Sequence, residues 1–138
     1  MHSQLKEDAN SVRHAGPPAL LMFANAALFF FGSVQHLGFK LGRFHEPVIL
    51  PAAIVEALCG VSLLVGAVAL VRDWNSRWYV ALVGNLVAMG GVFLGMAALA
   101  AGRGPRTASN DLYHHIMLIV IASVILILFF GRSRLKQH

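Results

Sequence analysis

Pro47-Val-Ile-Leu-Pro-Ala-Ala-Ile-Val-Glu-Ala-Leu-Cys-Gly-Val-Ser-Leu-Leu-Val-Gly-Ala-Val-Ala-Leu-Val71 runs for 25 residues with a single charge, Glu56. The run is apolar without a break of period two. It therefore reads as a helix buried on all sides rather than as a strand with one wet face. Its length is enough to cross about 30 Å of hydrocarbon. A carboxylate near the middle of such a span costs ~2.5 kcal/mol or more on insertion scales. A partner charge, a proton, a ligand or a water cavity must offset that cost, so function is expected near Glu56.

Three further uncharged runs flank this one, over residues 15–39, 78–102 and 112–131. Each is long enough to span a bilayer. In lipid every backbone N–H and C=O must find its partner within the segment, which selects helices. The whole chain of 138 residues is 57% hydrophobic and only 12% charged, about half the charged share of an ordinary soluble domain. The reading is an all-α integral membrane protein, an up-down-up-down four-helix bundle. Its helices are expected at about 17–38, 47–71, 78–101 and 111–131, between a polar tail over 1–16 and a basic tail over 132–138. The first run is expected to be a span rather than a cleavable leader, because a mixed-charge tail precedes it.

The net charge of +5 does not point to nucleic acid. The basic residues flank the spans, where anionic headgroups account for them. Lys6, Arg13, Arg72, Arg77, Arg132, Arg134 and Lys136 fall on one side, against Lys40, Arg43, Arg103 and Arg106 on the other. The bias predicts both termini in the cytoplasm, with Trp74, Trp78 and Tyr79 as an inner aromatic belt. The single cysteine, Cys59, permits no disulfide within the chain.

Small residues mark expected helix contacts. Ala53, Gly60 and Ala67 share a face with Glu56, and Gly84, Ala88, Gly91 and Gly95 line helix three. Such stripes let membrane helices approach closely. Pro17-Pro18 are expected to open helix one, Pro47 and Pro51 to bracket the first turn of helix two, and Asn110 or Asp111 to cap helix four.

The polar residues gather at two depths. Near the outer end stand Gln35 and His36, then His45 and Glu46, then Asp111, Tyr113, His114 and His115. Glu56, nine residues after Pro47, falls roughly 13 Å below that end. Towards the inner side are Asn25 and Asn85, each about 10 Å in, placed to bond across helices one and three as structural residues. Glu56 could be a neutral hydrogen-bonded carboxyl, a partner of His36 or a helix-four histidine, or a group that binds metal or protonates a substrate. His114 and His115 point about 100° apart, so only one faces the bundle. Asp111, three and four residues earlier, is placed to orient either ring. His36, His114 and His115 with Glu56 would also suit a metal or haem, though without a fixed ligand spacing.

The order of these features resembles the DoxX-like family of small four-helix membrane proteins. Phe31-Gly-Ser-Val-Gln-His-Leu-Gly-Phe-Lys-Leu41 is similar to that family's Gly…Lys-Leu ending of helix one. Ile54-Val-Glu-Ala-Leu-Cys-Gly-Val-Ser-Leu-Leu-Val-Gly66 looks like its Glu-x-x-x-Gly-x-x-Leu-Leu-x-Gly core, matched at Glu56, Gly60, Leu63, Leu64 and Gly66. Gly131-Arg-Ser-Arg resembles its closing Gly-Arg. Asn110-Asp-Leu-Tyr-His-His115 departs from the pattern. The resemblance covers about 18–134 and implies a bacterial inner-membrane protein of redox surroundings, an accessory or quinone-handling subunit. It carries over one residue, Glu56.

On this reading Glu56 and His36 exchange protons, and Gln35, Asp111, Tyr113, His114 and His115 contact a quinone. The alternatives are a metal- or haem-binding protein using His36, His114 and His115, and a structural subunit of a larger assembly or homo-oligomer. A small proton-coupled exporter ranks lower, because the membrane glutamate of such exporters sits in the first helix.

Overall fold

The computed structural model describes the backbone of residues 2–39, 47–104 and 108–135. Those residues form four helices and no strand: α1 (His2–His36), α2 (Leu50–Val71), α3 (Arg77–Ala100) and α4 (Ala108–Leu135). Each contains an apolar stretch long enough to cross a bilayer, namely Gly16–His36, Leu50–Val71, Arg77–Ala100 and Asn110–Gly131. The chain is an integral membrane protein, and its fold class is the expected all-α bundle.

The spans agree with the sequence reading, whereas the helix ends differ. Helix α1 extends back to His2 and carries Pro17 and Pro18 inside it, so the prolines mark the edge of the apolar segment without starting the helix. Proline's fixed φ is already helical, and its cost is the lost backbone donor. Helix α2 begins at Leu50, with Pro51 in its first turn and Pro47 outside. Helix α4 begins at Ala108, so Asp111 lies in its first turn rather than at its cap. His45 and Glu46 lie outside the described residues.

Two glycines close helices at the bundle end that carries the α1–α2 and α3–α4 connections, called here the distal end. Gly38 (φ +92°) donates to Gln35 O while Phe39 N–H donates to Val34 O. Gly102 (φ +70°) donates to Leu99 O while Arg103 N–H donates to Ala98 O. Both are left-handed caps that satisfy otherwise orphaned carbonyls. At the other end Asp73 adopts the same hand (φ 55°) after α2 and is paired with Arg77.

The helices form a closed ring in chain order, and α4 packs least closely. The buried share of the spans falls from 44% in α1 to 22% in α4, which makes α4 the most lipid-exposed wall. Contacts show antiparallel neighbours. Towards the proximal end Met22 of α1 meets Gly66 of α2, and Trp78 of α3 meets Gly131 of α4. Towards the distal end Ser33 Oγ donates to Ala53 O at 2.8 Å, and Gly95 of α3 meets His114 of α4. Met22, Leu63, Leu70, Met117 and Ile121 fill the core between them.

The small-residue stripes do what their spacing predicts, with one division. Ala53, Glu56, Gly60 and Ala67 are all buried on one face of α2. Gly84 lies against the Ser62 carbonyl and Gly91 against Cys59, both of α2, whereas Gly95 turns to His114 of α4. Ser62 Oγ donates to Gly84 O at 3.1 Å, adding a polar tie to the α2–α3 contact.

Candidate functional site

A cavity of about 340 Å³ occupies the distal half of the bundle, with walls from all four helices and from Arg103-Gly104. It is mostly apolar, lined by Phe29, Val55, Val92 and Met117 among others. Its polar groups are Glu56, His36, Tyr113, His114, Asn110 and Arg103. This combination of apolar walls and a few convergent polar groups is typical of small-molecule sites, which hold ~300–1,000 Å³.

Glu56 is 9% exposed and six residues into α2. That places it about 9 Å below the helix start, shallower than the expected depth because α2 begins at Leu50 instead of Pro47. His36 Nε2 stands 3.9 Å from Glu56 Oε1. This is ion-pair range but beyond a hydrogen bond, and a bridging oxygen fits such a gap. The other ring nitrogen, Nδ1, faces Pro47 O at 3.4 Å. A carbonyl only accepts, so Nδ1 carries the hydrogen there. With that tautomer a neutral ring offers Glu56 an acceptor at Nε2. Ile49 N–H also donates to His36 O at 3.0 Å, so the end of α1 and the start of α2 are locked where this pair forms.

Tyr113 completes this corner. Its hydroxyl donates to Leu28 O at 3.0 Å. A Cβ on Gly32 would stand 2.7 Å from both that hydroxyl and Glu56 Oε1, so the two oxygens come together over a glycine of α1. His114 packs edge-on against the Tyr113 ring, with centroids 5.6 Å apart. Its Nδ1 donates to Asn110 O at 2.8 Å, which leaves Nε2 of the neutral ring as an acceptor, held over Gly95.

The structure thus brings Glu56, His36, Tyr113 and His114 together. It does not bring in Gln35, Asp111 or His115, none of which lines the cavity. Gln35 is buried beside the site, one helical step of 100° from His36. His115 is exposed, and its Nδ1 donates to Asp111 O at 2.6 Å. The ring-orienting groups are therefore the main-chain carbonyls of Asn110 and Asp111, four residues back, where the sequence suggested the Asp111 side chain. Among the described residues no three of His, Cys, Asp and Glu come together as a metal-ligand set. The expected metal trio is divided, because His115 faces away from His36 and His114.

Asn25 and Asn85 are both buried, as expected of structural polar residues, but they do not bond to each other. Asn85 Nδ2 donates to Ala81 O of its own helix at 2.8 Å, and neither Oδ1 accepts a hydrogen bond among the described residues. Helices α1 and α3 stand diagonally across the ring, and the Asn85 amide is taken up by its own helix instead of the expected bridge. Sequence reasoning missed Gly32, Arg103 and Asn110 as site residues. None of the three carried a signal of its own, since a glycine in a membrane helix and polar residues at helix ends are ordinary there.

No protein-family model matches the chain, and no curated protein or solved structure matches it either.

Proposed function

We propose that this protein holds the head of a quinone in the distal cavity and serves as an accessory, quinone-handling subunit of a membrane redox complex. The observation that carries the reading is the Glu56–His36 pair, set 3.9 Å apart in the wall of a mostly apolar cavity. A quinone head is a flat apolar ring with an oxygen at each end. It needs apolar walls, a hydrogen-bond donor and a group that exchanges protons. Glu56 and His36 can each pass a proton to, or take one from, an oxygen placed between them. His114 lies across the cavity wall on α4. Electrons would come from a redox-active partner subunit, and the quinone supplies the two-electron chemistry when bound. The DoxX-like resemblance of the Glu56 motif supports the same surroundings.

The seven-to-four excess of Lys and Arg on the side of the termini supports an orientation with both termini cytoplasmic. The cavity then opens in the outer half of a bacterial inner membrane.

The test is binding of a decyl-substituted benzoquinone to the purified protein in lipid nanodiscs. Glu56→Gln keeps the side-chain shape and removes the exchangeable proton. Affinity should fall about tenfold, the scale of one lost charge-assisted hydrogen bond, while folding is retained. Equal affinity for the two proteins would sink the assignment.

A further inference from the structure

The walls of the cavity are not equally closed. On the α1 and α4 side no lining residue is exposed: Phe29 is 2% exposed, Met117 is fully buried, and His36, Asn110, Tyr113 and His114 are half-buried. At the distal end Ile49 and Leu99, both half-buried, meet beside Gly104. Leu99 Cδ2 and Ile49 Cδ1 lie 3.4 and 3.7 Å from the place a Cβ on Gly104 would take, and all three residues line the cavity. The α2–α3 side differs. There the lining includes Pro51, which is exposed, and Leu94, which is 58% exposed. Leu94 lies six residues before the end of α3, hence about 9 Å inside the bundle from that end. At that depth an exposed leucine faces hydrocarbon, not water. Arg103, exposed at the upper edge of the same side, marks the headgroup level.

We infer that the cavity opens sideways into the bilayer between α2 and α3, and that its occupant carries an apolar tail leaving past Leu94. The inference rests on reading the cavity as the site of a quinone head, and it adds the tail and its route. Glu56 is buried and His36 half-buried in the cavity wall, whereas the exposed lining of the open side is apolar at Pro51 and Leu94, with Arg103 at its upper edge. A molecule with a hydrogen-bonding head and an alkyl or isoprenoid tail matches that order. A compact polar solute matches it less well, because the exposed lining at the opening, Pro51 and Leu94, is apolar and Leu94 lies at hydrocarbon depth.

The test compares two probes, a tail-less benzoquinone and its decyl-substituted analogue, on the purified full-length protein in nanodiscs. Leu94→Trp fills the opening from the lipid side. Phe93→Trp places the same ring on a lipid-exposed neighbour that does not line the cavity and controls for the added bulk. Leu94→Trp should weaken the decyl analogue about tenfold and leave the tail-less probe within about twofold, a loss confined to the tail. Phe93→Trp should change neither affinity. If Leu94→Trp leaves the decyl analogue unaffected, or weakens both probes equally, the portal is overturned. In that case a parallel loss of both probes in Glu56→Gln still supports the head site. If neither probe binds the unaltered protein, head site and portal both fail.

Discussion

A methyl group on Gly32 would stand 2.7 Å from Glu56 Oε1 and 2.7 Å from the Tyr113 hydroxyl. Both neighbours belong to other helices, and both oxygens have their positions set by the site. Gly32→Ala should therefore push the carboxylate and phenol apart. Its stability cost should be ~1–3 kcal/mol, as for other overpacked cores, measured by unfolding in mixed micelles. Decyl-benzoquinone binding should weaken more than in Ser33→Ala, which removes the α1–α2 hydrogen bond to Ala53 O one residue away. Equal binding in Gly32→Ala and the unaltered protein would mean that the Glu56–Tyr113 corner plays no part in the site. At this scale Glu56 was legible in the sequence because a lone charge in an apolar run violates lipid solvation. Gly32 was not, since a glycine in a membrane helix is ordinary until the atoms opposite it are known.

At the scale of the helices, spacing carried most of the information. The span lengths and the buried face of α2 follow from hydropathy and from period 3.6, because bilayer thickness and helix rise leave little choice. The ends of the helices did not follow. Pro17-Pro18 read as a start and Pro47 as part of a first turn, yet α1 continues through one and α2 begins after the other. Proline is compatible with both positions, so its presence alone cannot decide between them. The close contact of α2 and α3 makes a firmer prediction. A Cβ on Gly84 would come 2.5 Å from the Ser62 carbonyl oxygen, a backbone atom that cannot rotate away. Gly84→Leu should separate the two helices and destabilise the bundle by at least ~1–3 kcal/mol. Gly90→Leu, with nothing within 4 Å of its Cβ position, should be nearly neutral in the same unfolding measurement. Comparable losses at the two positions would contradict the α2–α3 packing.

For the molecule as a whole, the proposed orientation is tested with reporter fusions. A fluorescent protein that matures only in the cytoplasm should be bright at either terminus, and a periplasm-dependent phosphatase should be active when inserted after Gly102. The opposite pattern would invert the cavity's side of the membrane. Shifting two of the basic residues, Arg72 and Arg77, to neutral side chains would narrow the charge bias from seven against four to five against four, so mixed orientation should appear in the same assay.

The sequence by itself determined that this chain crosses a membrane four times and that Glu56 is its anomaly. Both follow from one-dimensional facts, the length of apolar runs and the cost of a charge within them. Only the tertiary structure decided which polar residues share a space. It selected His36 over Gln35 and His114 over His115, placed Tyr113 beside Glu56 across Gly32, and turned the Asn85 amide to Ala81 O of its own helix. The physical reason is angular. Neighbouring residues on a helix point about 100° apart, so which one faces the cavity depends on how each helix is turned against the others. Packing sets that turn.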